Sequence, residues 1–405
     1  MPRADHIGSF LRPPSLLAAR QAASHTSAYD PPSAEVEAIT RKCVAELVQK
    51  QLARDIRPIT SGEYERYIFY AGFFEKLDGC VVVPDIPLPS GFRSRLPTVT
   101  KAMEKGVQVR PGVVAVSPIR HDGRAYLAEW LGLRSLLPSE ELWRECKLTV
   151  PPATWHHIHL KPGTAYKPGT AYKPGTAYAS DEAYFRDLGA AYRAEFQTLY
   201  DAGLRNIQVD DPALTSFPTQ TFRDGCEEDG VDADKLLDLY IWAQNECLRD
   251  RPADLHVGIH LCRGNMAGST HILSGSYEPI AQRLFTGLQY DTFYLEYDSD
   301  RAGDFTPLRH LPVGKRVVLG VVSTKTTELE EVDELVGKVY DAADVIAGGQ
   351  GRPREQVLQD TLSVSPQCGF SSMSVGGGEG MTEQRMWEKM ALVQEVARRV
   401  WGTVF

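Results

Sequence analysis

The stretch HVGIHLCRGN, residues 256–265, places His260 and Cys262 one residue apart at the end of an apolar run. In a strand, residues i and i+2 point to the same face, so an imidazole and a thiol project together and could hold one ion. Two more donors end apolar runs further on: Glu296 closes TFYLE and Cys368 lies in SVSPQCGF. Two thiolates, one imidazole and one carboxylate suit Zn(II), which takes S, N and O ligands in a tetrahedron. The spacing differs from a zinc finger, where ligand pairs sit on short knuckles. Donors from three separate strands point instead to a catalytic site with an exchangeable ligand. An H-x-C pair on an apolar strand also fits plain core packing. Glu296 weighs against that alternative, because a carboxylate is costly to bury without a cation or a donor.

These residues need a scaffold that brings their strands side by side. Eight β-rich runs recur along the chain: DHIGSF, RPITSGE, KLTVPPATW, NIQVDDPA, HVGIHLC, TFYLEYD, RVVLGVVST and TLSVSPQCGF. Between them lie stretches with helical spacing, such as DEAYFRDLGAAYRAEFQTLYDAG and DADKLLDLYIWAQNECLRD. Eight strands alternating with helices predict an α/β chain folded as a single (βα)8 barrel over residues 1–405. The hairpin GVQVRPGVVAVSPIRHDGR is expected as an insertion before the third strand. Chemistry in such a barrel sits at the C-terminal ends of its strands. One six-residue unit, KPGTAY, is written three times over residues 161–178. Its Pro-Gly pairs forbid a regular helix, so it reads as a loop within the barrel. A tolerated surface expansion and an active-site lid remain the two readings of it.

Composition narrows the function. Of 405 residues 42% are hydrophobic and 24% charged, enough apolar material for a large core. A net charge of -9 without any Lys/Arg-dense run makes nucleic acid a poor partner. The start MPRADHIGSFLRPP lacks the apolar region of a signal peptide, and no long apolar span appears, so a cytoplasmic protein is expected. Seven scattered cysteines in a chain of this size read as buried thiols rather than disulfide partners.

The motifs HIGSFLR, SGEYER, YRAEFQTLYDAGLRNIQVDDPAL, HLCRGN, TFYLEYD and SPQCGF, in this order, resemble the catalytic C-terminal domain of cobalamin-independent methionine synthase. The chain is more similar still to single-barrel methionine-synthase-like proteins, among them the zinc-dependent epoxyalkane:coenzyme M transferase. The same broad fold occurs in uroporphyrinogen decarboxylase, which lacks the zinc ligands. The resemblance implies a zinc held by His260, Cys262, Glu296 and Cys368, with a substrate thiol bound as thiolate. It also maps the homocysteine contacts onto Ser9, Glu63 and Asp210. Ser9 and nearby amides would hold a carboxylate, and the two acids an ammonium. Each has a plainer alternative: Ser9 as a turn cap, Glu63 as a partner of Arg66, Asp210 as a brace between strands.

The pattern also departs from that family. Where it carries a histidine that protonates the departing nitrogen, this chain has Lys325, a weak acid unless its pKa is depressed. Where it carries an acidic pterin reader, Ser216 stands. Trp155 could form a stacking wall or plug the core, and His156, His157 and His159 lie beside it on a strand or loop. The resulting expectation is a zinc-dependent alkyltransferase, in the first place a methyltransferase, acting through a zinc-bound thiolate. Lys325 and Asp210 are its proton-handling and catalytic candidates. Its partners are a small thiol and an alkyl donor other than the usual methyl-folate. Rival readings are zinc Lewis-acid chemistry of a lyase or hydrolase, thiol addition to an epoxide, and a catalytically dead barrel used for binding.

Overall fold

A computed structural model of the chain describes residues 2–24, 27–166, 177–266, 270–371, 373 and 377–405. Its strands, in chain order, are β1 (Asp78–Pro87), β2 (Val109–Arg120), β3 (Leu148–Val150), β4 (Asn206–Asp210), β5 (His256–Leu261), β6 (Asn265–Met266), β7 (Thr270–His271), β8 (Thr292–Glu296), β9 (Arg316–Val322) and β10 (Leu362–Pro366). Six of them form one parallel sheet in the order β10-β9-β8-β5-β4-β3. The runs DHIGSF and RPITSGE complete the ring through single parallel bridges, Ala4 with Val364 of β10 and Ile59 with Cys146 beside β3. These two segments meet each other where Phe10 N–H donates to the Gly62 carbonyl at 3.3 Å and Thr60 Oγ1 to the Gly8 carbonyl at 2.9 Å. Eight segments thus follow one another around a TIM-type barrel, as the alternation of strand and helix signals predicts.

Strand parity sorts the side chains. Val257, Ile259 and Leu261 of β5, Phe293 and Leu295 of β8, and Val317, Leu319 and Val321 of β9 belong to the large core shared with the surrounding helices. The alternate positions turn into the barrel, where Ile7, Tyr294 and Val318 form a small separate cluster. The interior below the rim is otherwise polar: Lys147 and Asp5 are fully buried and paired at 2.7 Å. Gly258 makes room there, since a Cβ on it would stand 2.6 Å from the Tyr294 ring.

The helices carry the stops and starts their sequences encode. Ser180 caps the helix Asp181–Asp201 by accepting from Ala183 N, and Asp232 caps Ala233–Leu248 by accepting from Asp234 N and Lys235 N. Gly351 and Gly402 end Val332–Gln350 and Glu383–Trp401 in the left-handed region, at φ 63° and 71°. No helix among the described residues is long and apolar enough to cross a membrane.

Two local expectations need correction, and one falls partly outside the described residues. The segment GVQVRPGVVAVSPIRHDGR is one strand, β2, rather than a hairpin of its own. Its antiparallel partner is β1, with Val83 opposite Gly112 and Ile86 opposite Arg110. The apolar run CVVVPDIP of β1, broken by prolines, supplies the partner that a local turn would otherwise have to provide. The run after β3 is not extended: Trp155–His159 forms a short helix whose five side chains are all buried. Of the KPGTAY loop, residues 167–176 lie outside the described residues.

Candidate active site

Three of the four predicted donors meet at the barrel rim. A ligand atom of each of His260, Cys262 and Cys368 lies within 4.8 Å of the other two, and all three residues are buried. β5 brings His260 inward by its parity, the chain leaving β5 brings Cys262, and Cys368 follows two residues after the end of β10. His260 Nδ1 sits 3.2 Å from the Tyr294 carbonyl, which fixes that nitrogen as the donor. Its Nε2 is buried with no nitrogen or oxygen partner, and the ring interacts with the Cys368 sulfur. A buried imidazole whose polar neighbours are two sulfurs fits a soft divalent cation such as zinc.

The electrostatics of the cluster agree with that. Hydrogen bonding to Cys262 holds the Cys368 thiol well below the usual thiol range against the effect of burial, with His260 and Lys325 assisting. The same bond, together with burial, pushes Cys262 well above it. Burial lowers the His260 pKa, and the neighbouring Cys368 outweighs it, so the net direction is upward. The surroundings thereby favour the anion at Cys368 over that at Cys262, and the thiolate is the form a metal requires.

Glu296 stands at the end of β8, but outside this group of three. Its carboxylate is fully buried, ion-paired with Arg301, and accepts from Arg263 N at 3.0 Å. Burial raises its pKa while Arg301 opposes the rise. Lys325 is buried on the other side of the cluster, where its Nζ donates to the Gly264 carbonyl at 3.3 Å.

A cavity of about 260 Å³ opens against the cluster, and Ser9, Glu63, Asp210 and Trp155 all line it. Glu63 has a left-handed backbone, φ 59°, the kind of strain that collects at binding sites. Thr149 Oγ1 donates to its Oε1 at 2.7 Å, and its Oε2 is buried without a partner. Arg66 makes no direct ion pair with it: its Nε and Nη2 go to Glu129 at 3.0 and 2.7 Å, and its Nη1 donates to Thr149 Oγ1 at 3.2 Å. Asp210 accepts from Gln208 Nε2 at 2.6 Å on its own strand, and burial pushes its pKa up to about 7. Ser9 packs so closely on Gly369 that a Cβ there would fall 1.9 Å from its Oγ. The cavity thus offers two carboxyl groups with free acceptor capacity and a hydroxyl beside the sulfur cluster.

The histidines next to Trp155 do structural work. His157 bridges Tyr240 OH at 2.8 Å and Asp181 at 3.0 Å. His159 Nδ1 donates to the Trp155 carbonyl at 2.7 Å, leaving its Nε2 to accept from Thr98 at 3.2 Å. Burial drives the His156 and His159 pKa values down to about 3, so both are neutral. Ser216 is buried in the short helical turn Leu214–Ser216.

Sequence reasoning missed three residues of this region. Arg12 ties the rim together, donating to the Ser371 carbonyl at 2.7 Å, the Met373 carbonyl at 3.0 Å and the Glu63 carbonyl at 2.9 Å. Its signal is the arginine within SFLRPP, flanked by apolar residues and prolines. Arg301, five residues beyond Glu296, occupies that carboxylate, and Arg110 of β2 lines the far end of the cavity.

Comparison with known proteins places this geometry among relatives. Residues 176–378 match the family described as the cobalamin-independent synthase catalytic domain. Protein YxjH of Bacillus subtilis is 32% identical over 402 residues, 98% of this chain and 94% of that one. A methionine synthase of Pyrococcus abyssi is 24% identical over 253 residues, 62% of each chain. Among solved structures, a candidate vitamin-B12-independent methionine synthase of Listeria monocytogenes superposes with a TM-score of 0.67. It is 24% identical, with 99% of this chain and 98% of that chain covered.

Proposed function

Since the chain belongs to the cobalamin-independent synthase catalytic-domain family, we propose that it is a zinc-dependent methyltransferase that alkylates a small thiol at the cavity described above. The observation that carries this reading is the buried Nε2 of His260, without a nitrogen or oxygen partner, in one cluster with the sulfurs of Cys262 and Cys368. His260, Cys262 and Cys368 would hold the ion. Glu296 would become the fourth ligand by leaving Arg301, and as the hardest donor of the set it is the one to yield when sulfur arrives. Zinc bound there supplies a Lewis acid that favours the anion of an incoming thiol, whose free pKa near 8.5 leaves it mostly protonated.

The remaining steps belong to the chain's own groups. Glu63 and Asp210 offer carboxyl oxygens to an ammonium, and Ser9 a hydroxyl to a carboxylate, so an amino-acid thiol such as homocysteine fits the inner end. Trp155 excludes water along the path of the donor's carbon. Lys325 or Asp210 would deliver the proton that the leaving group takes up; a carboxyl titrating at about 7 is suited to that at neutral pH. Two cysteine ligands donate much charge to the ion, which disfavours activation of water and so ranks hydrolysis below thiol alkylation.

The direct test is metal content. Purified protein should contain about one zinc per chain, lost in Cys262→Ser and Cys368→Ser with the fold retained by circular dichroism. Failure of the wild type to bind zinc on reconstitution would remove the reading.

A further inference from the structure

The cavity has two chemically opposed ends. The inner end is acidic, with Glu63, Asp210 and the sulfur cluster. The outer end is aromatic: Tyr70 stacks on Trp155 at 4.6 Å and 28°, and Phe69 meets Trp155 edge-on at 5.1 Å. Into this apolar wall the β1/β2 hairpin inserts one guanidinium, that of Arg110, which is half-buried and held by a hydrogen bond with Tyr70. Among the described residues no carboxylate pairs with Arg110; its charge acts on Tyr70, Tyr29 and His159 instead. A guanidinium withdrawn from water beside aromatic rings is costly unless an anion meets it.

We propose that the hairpin builds an oxyanion subsite for the alkyl donor, centred on Arg110 and backed by Tyr70 and Trp155. The donor is then a small molecule with an apolar or aromatic body ending in a carboxylate, sulfonate or phosphate. Its body lies along the aromatic wall, its anion takes the planar fork of Arg110, and its reacting carbon points to the cluster. The carboxyl groups at the inner end repel that anion, so the donor enters in one orientation only. The barrel alone lacks this group, which comes from the inserted hairpin, and so the hairpin sets donor choice. This inference rests on the thiol-alkylation reading for the word donor, but the subsite is measurable without turnover.

The probes are phenylacetate, benzylsulfonate and benzylphosphonate against uncharged phenylacetamide and benzylsulfonamide, with affinities read by saturation-transfer NMR. Wild type should bind at least one anion roughly tenfold or more tighter than its amide. Arg110→Gln should level the two, and Arg110→Lys should keep part of the preference. Which anion binds best identifies the donor's end group. Equal binding of anions and amides by wild type overturns the subsite, as does a preference that survives Arg110→Gln. Should Arg110→Gln be unstable, raising ionic strength replaces it, and a preference indifferent to salt is equally damaging. Zinc content of the same samples separates this outcome from failure of the metal reading, because Arg110→Gln leaves the ligand cluster intact.

Discussion

Replacing Gly369 by alanine would set a methyl group 1.9 Å from Ser9 Oγ, 3.1 Å from Ser9 Cβ and 3.5 Å from Ser9 N. To reach even 3.0 Å the hydroxyl must withdraw by 1.1 Å, the difference between the two distances. The Ser9 backbone cannot follow freely, because its carbonyl accepts the Phe370 N–H at 3.0 Å. The cheapest relief is rotation of the Ser9 side chain away from the cavity. The variant should then remain folded, with overpacking costing about 1 to 3 kcal/mol. Homocysteine binding should weaken by about 1 kcal/mol, the net value of one neutral hydrogen bond, or roughly fivefold. Ser9→Ala should weaken it by a similar amount, and the double variant by little more than either single one, since both remove the same contact. Titration calorimetry on the four proteins reads this cycle. Fully additive losses, or unchanged affinity in Gly369→Ala, would refute Ser9 as a substrate contact.

Burial keeps His6, His156 and His159 neutral, with pKa values pushed down to about 4, 3 and 3. Unfolding exposes them to protonation near pH 6.5, so the stability they contribute is fully present above that pH and is lost as pH drops through the window down to about 4 for His6 and about 3 for the other two. Three protons taken up by these histidines on unfolding contribute a limiting slope of roughly 4 kcal/mol per pH unit, opposed by Glu65, Asp210 and Asp211, which burial raises to about 8, 7 and 6. Urea unfolding of wild type beside a His156→Gln, His159→Gln variant at pH 7 and pH 5 isolates the histidine share, and a difference between the two proteins that is independent of pH would contradict the burial assignment. Arg301→Ala should tighten zinc binding roughly tenfold, because it removes a positive charge near the ion and frees Glu296 as a ligand. Weaker zinc binding in a chelator competition would show that Glu296 has no such role.

What the sequence could reveal depended on how local each signal was. Parity alone turns His260 inward, because the apolar alternates Val257, Ile259 and Leu261 must face the helices. Likewise Glu296 shares its side of β8 with Tyr294, and Cys368 follows the buried run of β10. The pairing of β2 with β1 was not legible, since the register joins segments separated by the helix Pro97–Glu104. Nor was the helix at Trp155–His159, where alternating histidines mimic a strand while Trp155, His156 and His159 all find partners in the folded core. The engagement of Glu296 by Arg301 depends on the short turn Asp300–Ala302, which no periodicity announces. Glu63 was legible as a candidate, whereas the lack of a direct ion pair with Arg66 appears only once Glu129 is seen to take Nε and Nη2 of that guanidinium.

Zinc K-edge absorption of the reconstituted protein, recorded before and after adding homocysteine, tests the central claim most directly. The account predicts a site of two sulfurs with nitrogen and oxygen donors that gains one further Zn–S scatterer as an oxygen donor leaves. A spectrum unchanged at saturating thiol would contradict thiol activation and move the bound metal to Lewis-acid chemistry of another kind.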